Sequence, residues 1–554
     1  MVADFYIWRP QKAHSRIRLS RRLESLSRAQ LIGGMIATGA LAGCGGANKT
    51  TAVPAPATIT ATCVSTSTNP VGLNQIFSDP VFQNLDKAAL AQIFDPTPQI
   101  EALYQGYFAQ AGQQLQTSNV IRHIPSAGIV IQSPGTYTFG SDILWSPNDV
   151  QCSAITIQCS DVTLDLAGFT LTASVSDKSQ QITGILVLGP VTNPTTANIA
   201  ITNGTVAGVT EYGILATSVC GLSISHITVT GVCMQNLAIR FLTPAGIQVS
   251  GSLEVAISNC SVANLNVTTD SSAGIFLLST IQATVSNCST IGLLNNDGAV
   301  QGFSYIKCIN VTTTGCLAKN LQSHFNGNVL TTGHTVLGFC PIFCWNLSYV
   351  NCSASGLTGC CDDCHGMSVF LDGQVTVSEF RADHIVDGVS PSNSGAKATG
   401  LEVYGVGVTV TNSTVSYIEA INPQDKQATG FSAWGLAIQF EGCGASNVTV
   451  QDDFGVGSRG TGFGWAPDPR SLFCYIGAFD VTYTNCSADH CDVGFDTWYH
   501  VNSSWIRPVH TNCTTGILVE PGGQRTLSGD PCSECNPPIS VTLTNFESGN
   551  TYPL

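Results

Sequence analysis

A glycine followed at once by a bulky apolar residue recurs along most of this chain, and this repeat constrains the fold more than any other feature. Most steps between successive pairs are 28 to 34 residues long. Self-similarity at such a period predicts a solenoid of stacked coils. The pairs begin at Gly184, Gly213, Gly246, Gly274, Gly302, Gly338, Gly366, Gly400, Gly430, Gly462, Gly494 and Gly516.

A column of cysteines keeps the same register. Cys260, Cys288, Cys316 and Cys352 each lie 14 residues after their own glycine. Three of them are preceded by an asparagine, namely Asn259, Asn287 and Asn351. We expect the apolar residue after each glycine to point inward and the cysteines to form an interior stack of small side chains. The asparagines suit a turn between strands.

Composition favours short strands over helices in the body of the chain. Charged residues are only 10% of the sequence and glycine supplies 55 residues, a pattern typical of many strands and turns. Helix-compatible spacing is confined to a stretch before the repeat, as in NLDKAALAQIF. The predicted organisation is a signal segment (1–43), a flexible tether (44–70), a helical N-terminal segment (71–124), a β-helix (125–520) and a C-terminal cap or tail (521–554).

Three segments resemble the first coils of pectate-lyase-like right-handed parallel β-helix proteins. They are SPGTYTF (133–139), AITIQCSDVTLDLAGFTLT (154–172) and IAITNGTVAGVTEYGI (199–214). The resemblance implies an all-β chain with a single right-handed parallel β-helix over about residues 125–520. That family includes polysaccharide lyases, glycoside hydrolases, epimerases, adhesins and spikes, so the fold by itself does not assign an activity.

The start of the chain resembles a bacterial lipoprotein signal. A basic stretch precedes the apolar run LIGGMIATGALA (31–42) and the sequence Leu41-Ala42-Gly43-Cys44, which implies cleavage before Cys44 and lipidation of its sulfur. The alternative is an ordinary secretory signal followed by a cysteine. Both predict an extracytoplasmic protein. The lipoprotein signal implies an outer-membrane or cell-surface protein that contacts the membrane only through its lipid anchor, whereas the ordinary signal implies a secreted protein.

The charge distribution excludes some partners. Seven basic and two acidic residues lie before residue 30, which leaves 14 basic and 34 acidic residues in the body, a balance of −20. So acidic a body does not hold nucleic acid by general electrostatics. A strongly polyanionic substrate is disfavoured unless bound calcium bridges the charges. The sequence gives no indication of oligomeric state.

Cysteine content agrees with export. The chain has 23 cysteines, and an oxidising compartment permits disulfide bonds. The close pairs are candidates for bonding: Cys340 with Cys344, Cys486 with Cys491, and Cys532 with Cys535.

Aromatic residues occupy nearly the same point in five consecutive units. Phe370, Tyr404, Trp434 and Trp498 lie four residues after their glycine, and Trp465 lies three after its own. If the residue after the glycine points inward, strand alternation directs the fourth residue outward. An outward aromatic stripe suits a sugar polymer, because ring faces pack on the apolar faces of pyranoses. The alternative is that these rings only pack over a turn.

Carboxylates accompany the aromatic units. Glu402 and Asp496 lie two residues after their glycines, and Asp452 and Asp453 form a further candidate pair. Acid–base cleavage of a glycosidic bond needs two carboxyl groups roughly 5–10 Å apart. We therefore predict a protein that binds a carbohydrate polymer, with cleavage by hydrolysis or elimination left open and no cofactor expected. A non-catalytic adhesin or structural surface protein is the alternative.

A second constellation has different chemistry. The sequence Cys361-Asp362-Asp363-Cys364-His365 matches the C-x-x-C-H attachment motif for c-type haem, with His365 as the iron ligand. A zinc site from Cys360, Cys361, Cys364 and His365 is a related alternative. No other metal site is predicted.

Overall fold

The computed structural model describes residues 113–115, 120–189, 196–235, 243–324, 334–360, 363–388, 397–421, 427–450, 459–464, 478–496, 500–501, 503–518 and 541–544. Within these ranges the regular secondary structure is strand, with no helix. No helix in this part of the chain has the length and apolarity to cross a membrane. The signal segment, Cys44 and the tether lie outside the described residues.

The strands, numbered in chain order, pair in parallel between successive coils and form three long sheets. Strands of the first sheet carry the repeated glycine–apolar pairs. In stacking order they are β1 (Gln113–Leu115), β3 (Ile129–Ile131), β6 (Gln151–Ile157), β9 (Gln181–Leu188), β11 (Tyr212–Thr217), β13 (Ala245–Ser250), β17 (Ser271–Leu278), β21 (Ala299–Ile306), β25 (Val336–Ile342), β28 (Cys364–Ser378), β30 (Lys397–Thr411), β32 (Gln427–Leu436), β35 (Arg459–Gly464), β39 (Val493–Asp496) and β43 (Thr515–Leu518).

The second sheet follows the first along each coil. Long strands β28 and β30 continue from the first sheet into it. Its other strands are β2 (Val120–Ile121), β4 (Gly135–Phe139), β7 (Val162–Asp165), β10 (Thr196–Ala207), β12 (Val219–Thr230), β14 (Leu253–Ser258), β18 (Ile281–Ser286), β22 (Ile309–Thr314), β26 (Trp345–Val350), β33 (Gln439–Glu441), β36 (Ala478–Phe479), β37 (Thr482–Thr484), β40 (His500–Val501), β41 (Ser503–Ile506) and β44 (Val541–Thr544).

The third sheet completes the coil, and the C-terminal halves of β10 and β12 contribute to it. Its strands are β5 (Ile143–Trp145), β8 (Thr170–Ala173), β15 (Ser261–Ala263), β19 (Ser289–Ile291), β23 (Leu317–Lys319), β27 (Ser353–Thr358), β29 (Arg381–Asp387), β31 (Thr414–Ala420), β34 (Gly444–Val450), β38 (Ser487–Cys491) and β42 (Val509–Thr511). A short ladder beside it holds β16 (Asn266–Val267), β20 (Leu294–Asn295) and β24 (Gln322–Ser323). The predicted all-β parallel β-helix is confirmed.

The apolar residue after each glycine stacks in register as predicted. Leu401 pairs with Phe431, and Phe431 pairs with Phe463 on the next coil. The rings of Phe431 and Phe463 are 4.8 Å apart and nearly parallel, and both belong to the interior core. Burying such a side chain stabilises the fold by roughly 1.5–3 kcal/mol.

The glycine itself is required because the next coil passes where a side chain would lie. A Cβ atom on Gly366 would lie 2.5 Å from the carbonyl oxygen of Gly400 and 2.8 Å from the Cβ of Ala382, a core residue. The glycine position and the Met367 that follows it therefore both face the interior. Alternation is thus interrupted at the glycine. On either side of this pair, alternation directs the residue before the glycine, and the second and fourth residues after it, to the opposite face.

The cysteine column lies in the interior core, as expected. Cys260, Cys288, Cys316 and Cys352 are each 1–2% exposed, and the Cys288 thiol lies 3.2 Å from the carbonyl oxygen of Ser286. The preceding asparagines adopt the left-handed backbone conformation, with φ of 51° to 53°, which asparagine tolerates better than most residues. Consecutive coils therefore repeat the same turn.

Two of the predicted disulfide bonds are wrong. Cys340, Cys344, Cys486 and Cys491 carry free thiols. Cys344 lies in the interior core, whereas Cys340 is the second residue after its glycine and lies outside that core. Cys486 and Cys491 each hydrogen-bond a carbonyl two residues earlier. The third pair, Cys532 with Cys535, lies outside the described residues.

The described part of the predicted helical N-terminal segment forms strands. Gln113–Leu115 and Val120–Ile121 are strands that pair with β3 and β4. Strand pairing also reaches into the predicted C-terminal tail, because Val541–Thr544 pairs with β41. Paired strands therefore extend beyond both predicted limits of the β-helix.

Candidate functional site

The predicted aromatic stripe forms a row on the first sheet. Phe370, Tyr404 and Trp434 occupy successive rungs, with ring centroids 5.2 Å and 5.6 Å apart. They lie outside the interior core cluster, as alternation requires. They are only 2–4% exposed, so the expected solvent-facing stripe is instead a buried row. Trp465 and Trp498 lie outside the described residues.

A buried ionic cluster lies beside this row on the same face. The Nδ1 atom of His365 is 3.2 Å from Oε2 of Glu402 on the next rung. Lys397 donates a hydrogen bond of 2.6 Å from Nζ to Oε1 of the same carboxylate, and the hydroxyl of Ser368 donates to Oε2 at 3.1 Å. The Glu402 carboxylate thus has two potential cations and a hydroxyl around it.

Two aspartates extend the cluster toward the preceding turns. The Oδ1 atom of Asp363 is 3.6 Å from Nε2 of His365, so a carboxylate lies on each side of the imidazole. The backbone N–H of Lys397 donates to Oδ2 of Asp387 at 2.8 Å. All of these residues are at most 6% exposed, so charge is concentrated where solvent is excluded.

The mutual attraction of these groups sets their protonation. Burial lowers the pKa of His365, but the Glu402 carboxylate and Asp363 outweigh burial and raise this pKa to about 9. Burial raises the pKa of Glu402, but Lys397 and His365 outweigh it and hold that pKa well below its ordinary value. At neutral pH, Glu402 is therefore ionised and His365 carries a proton.

Several buried polar atoms at this place lack a hydrogen-bond partner within the described ranges. They are Oδ2 of Asp363, both ring nitrogens of His365, and the hydroxyls of Thr399 and Thr429. His365, Thr399 and Thr429 occupy successive rungs. The imidazole is close enough to its carboxylates for ionic attraction but is not aligned for a hydrogen bond. Such a concentration of unsatisfied groups calls for an explanation, such as a bound polar molecule.

Two of the carboxylates predicted to be catalytic, Glu402 and Asp496, do not form a pair. Asp496 is buried on the same column as Glu402, but Ser432 and Gly464 occupy the two rungs between them. Three rungs correspond to roughly 14 Å, which exceeds the roughly 5–10 Å of a glycosidase pair. Asp452 and Asp453 lie outside the described residues.

Sequence reasoning did not single out Asp363 and Lys397 as site residues. Lys397 opens the strand KATGLEVYG, in which Glu402 is the only other charged residue, and this pairing of opposite charges on one strand is the available signal. In the sequence, Asp363 stands out only as part of the haem motif. Asp363 lies two residues before His365, and Lys397 lies five residues before Glu402 on the same strand. The contact that joins these two local pairs is the one between His365 and Glu402, and it crosses between coils.

The placement of the haem motif gives no support to that alternative. Cys364 lies in the interior core and His365 on the opposite face of the same strand. A haem joined to this cysteine through sulfur and bound by this histidine needs both on one surface. Cys361 lies outside the described residues. Among those described, no group of three or more His, Cys, Asp or Glu side chains has the arrangement of a metal site.

No protein-family model matches this chain, and no curated protein matches it. Among solved structures it is similar to the catalytic domain of a GH87 alpha-1,3-glucanase, with 12% identity, coverage of 80% of this chain and 69% of that one, and a TM-score of 0.35. It is also similar to a rhamnogalacturonan lyase, with 14% identity, 65% and 74% coverage and a TM-score of 0.26. A third is the A-module of the mannuronan C-5 epimerase AlgE4 from Azotobacter vinelandii, with 9% identity, 77% and 94% coverage and a TM-score of 0.27. Similarities this low carry no argument about chemistry.

Proposed function

We propose that this chain binds a carbohydrate polymer at the first-sheet site, defined as Asp363, His365, Lys397, Thr399, Glu402 and Thr429 with the aromatic row Phe370, Tyr404 and Trp434. The observation that carries the proposal is the set of buried polar atoms without partners beside three rings. Sugar hydroxyls both donate and accept hydrogen bonds, and pyranose faces pack on aromatic rings. A sugar satisfies both parts of the site at once.

Access to the site requires a conformational change. His365, Glu402 and Trp434 are at most 4% exposed, so a sugar reaches them only when part of the chain over this face moves. Binding then selects a less populated open state, and the apparent affinity falls by the fraction of time that the site is open. The proposal therefore predicts that glycan binding is slow or weak, because the site must open first.

Binding without cleavage is the form of the proposal that the electrostatics favour. A general acid for glycoside hydrolysis holds a proton near neutral pH through a raised pKa, whereas the pKa of Glu402 is lowered. Cleavage is the second candidate, and Asp363 supports it. Because Asp363 and Glu402 contact the two nitrogens of one imidazole, their carboxyl groups flank the same ring, which makes them the candidate acid–base pair.

Location is part of the same proposal. The signal segment 1–43 exports the chain, and lipidation of Cys44 holds the solenoid at the cell surface, where polymeric glycans are found. No nucleic acid partner, metal or haem takes part in this binding.

The proposal is tested with a glycan array, followed by quantitative measurements of glycan affinity. The first variant is Thr399→Val/Thr429→Val, which removes two hydroxyls of the site and keeps the β-branched shape. Because those hydroxyls are buried without partners, we expect stability to hold or rise while glycan affinity falls at least several-fold. Thr284→Val, at an exposed position on the second sheet, is the matched control and is expected to bind like the parent protein.

Two readouts decide between the forms of the proposal. A reducing-end assay on the bound glycan detects hydrolysis, and absorbance near 235 nm detects the unsaturated ends of a lyase product. Binding without new ends supports the non-catalytic form, and new ends abolished by Asp363→Asn support cleavage. Failure of the array to find any glycan, or unchanged affinity in the double valine variant, rejects the first-sheet site.

A further inference from the structure

The outer face of the third sheet carries a column of residues with the left-handed backbone conformation. Each lies at the same point of its coil, with φ between 51° and 66°. In chain order the column is Asn264, Gly292, Asn320, Gly356, His384, Tyr417, Asn447, His490 and Asn512. The first four rungs use only asparagine and glycine, the residues that tolerate this conformation best. Three of the last five rungs use a ring instead.

Three rings of this column are placed in solvent, and Tyr417 is there at a conformational cost. A bulky residue such as tyrosine with positive φ is a backbone outlier, and such outliers concentrate at functional sites, whereas histidine adopts this conformation more readily. Tyr417 is 52% exposed, and the side chains of His384 and His490 are 62% and 58% exposed. His384 and Tyr417 stack with centroids 4.8 Å apart. Packing in the interior therefore does not explain the change from asparagine and glycine to rings.

Hydrogen bonds orient both histidines in the same way. Nδ1 of His384 is 2.6 Å from Oδ2 of Asp383, and Nδ1 of His490 is 2.9 Å from Oδ2 of Asp489. In each case the Nε2 edge is left to face away from its aspartate. Hydrogen bonds from Thr511, His490 and Asn512 lower the pKa of Asp489 to about 2, so it is an ionised acceptor. The two dyads lie three rungs apart, roughly 14 Å.

We propose that this third-sheet ladder, made of His384, Tyr417, Asn447 and His490 with Asp383 and Asp489, binds an extended neutral glycan lying along the solenoid axis. The ladder offers a stacked ring pair, an amide, and imidazole and carboxylate acceptors at strand spacing, groups that recognise ring faces and hydroxyls. Its fixed carboxylates and the acidic body disfavour a polyanion. The ladder lies on a different sheet from the first-sheet site and does not depend on it.

The chain supplies its own matched substitution. The variant His384→Asn/Tyr417→Asn/His490→Asn gives the late rungs the residue of the early ones, Asn264 and Asn320. Because asparagine accepts this backbone conformation more readily, thermal stability is expected to be equal or higher. Any loss of binding then reflects the missing rings and not misfolding. The single variant Tyr417→Asn provides the same test with the smallest change.

Affinity electrophoresis of the full chain measures binding. The gels contain galactomannan, xyloglucan, dextran or soluble starch as neutral probes, and alginate as an anionic one. We expect the parent protein to be retarded by at least one neutral polymer and the triple variant to bind it at least tenfold more weakly. Equal retardation of parent and variant overturns the proposal, as does a parent retarded by no neutral polymer.

The variant Thr399→Val/Thr429→Val separates the two sites. If the ladder variant loses neutral-glycan binding and the valine variant keeps it, the ladder stands and the first-sheet site fails. The reverse result overturns the ladder and keeps the first-sheet site. Loss in both variants supports two sites on one polymer, since simultaneous engagement raises the overall affinity.

Discussion

His365 and Glu402 lie on adjacent rungs of the first sheet, with Nδ1 of the imidazole 3.2 Å from Oε2 of the carboxylate and both side chains shielded from solvent. They face away from the apolar interior of the solenoid, on the face that also carries the aromatic row. Burying opposite charges offers little net stability over apolar residues. Their presence therefore indicates a role other than holding the coils together.

The first prediction concerns pH. The pKa of His365 is raised from 6.5 to about 9 in the folded chain, so the stability from its charge is complete below pH 6.5 and is lost as pH rises through 9. This shift corresponds to on the order of 3 kcal/mol. We expect His365→Gln to lower the urea midpoint most at pH 6 and least at pH 9.5. A midpoint difference that is the same across this range contradicts the proposed charge on His365.

The second prediction concerns the Glu402 carboxylate. Glu402→Gln leaves the charges of Lys397 and His365 buried without their counter-charge, and breaking a buried pair in this way destabilises by roughly 3–5 kcal/mol. The matched control is Glu254→Gln, an exposed glutamate of the second sheet, for which we expect a change within about 0.5 kcal/mol. Thermal denaturation of both variants gives the comparison, and equal melting temperatures would disprove the ion pair.

The third prediction concerns the apolar column. Phe463 stacks between Phe431 and Phe495, with centroids 4.8 Å and 5.1 Å away. Phe463→Ala is expected to destabilise by roughly 3–5 kcal/mol, and Phe463→Leu by less. Because each coil contacts mainly its neighbours, the loss should be concentrated in adjacent coils. Hydrogen exchange measured by mass spectrometry checks this, and uniform acceleration along the chain argues against local coupling.

The fourth prediction concerns the interior thiols. Cys260, Cys288, Cys316 and Cys352 are 1–2% exposed, whereas Cys513 is partly exposed. Hydrogen bonding with Cys491 lowers the pKa of Cys513 to about 7. Iodoacetamide at pH 7.5 should therefore modify Cys513 in the native protein before any of the four interior thiols, and modify all five after denaturation. Peptide mass spectrometry gives the order, and early labelling of Cys288 contradicts the interior column.

The fold followed from the sequence because its main signal is periodic. One glycine per coil is required where the next coil passes close to the backbone, and the residue after the glycine packs in the core. Pairs such as Gly366 and Met367 therefore indicate the register of the coils. Burial of Phe370, Tyr404 and Trp434 did not follow, since alternation gives the direction of a side chain but not what covers it. The contact between His365 and Glu402 also escaped detection, because it depends on which residues of two coils become neighbours. Exposure of Tyr417 is likewise a property of the folded third sheet.

The disulfide prediction failed for a related reason. Cys340 and Cys344 are close in sequence, but Cys340 belongs to β25, whereas Cys344 follows the turn at Phe343, which has a positive φ. Only Cys344 lies in the interior core, so proximity along the chain does not bring the two sulfur atoms together.

The most direct test of glycan binding at the first-sheet site is a crystal structure of the full chain with an oligosaccharide of the polymer selected on the array. The proposal predicts a sugar ring against Trp434 or Tyr404, with hydroxyl oxygens at about 2.7–3.2 Å from the Asp363 carboxylate and the Thr399 hydroxyl. A complex in which the sugar is bound elsewhere, with those atoms hydrogen-bonded to the chain or to water alone, would contradict it.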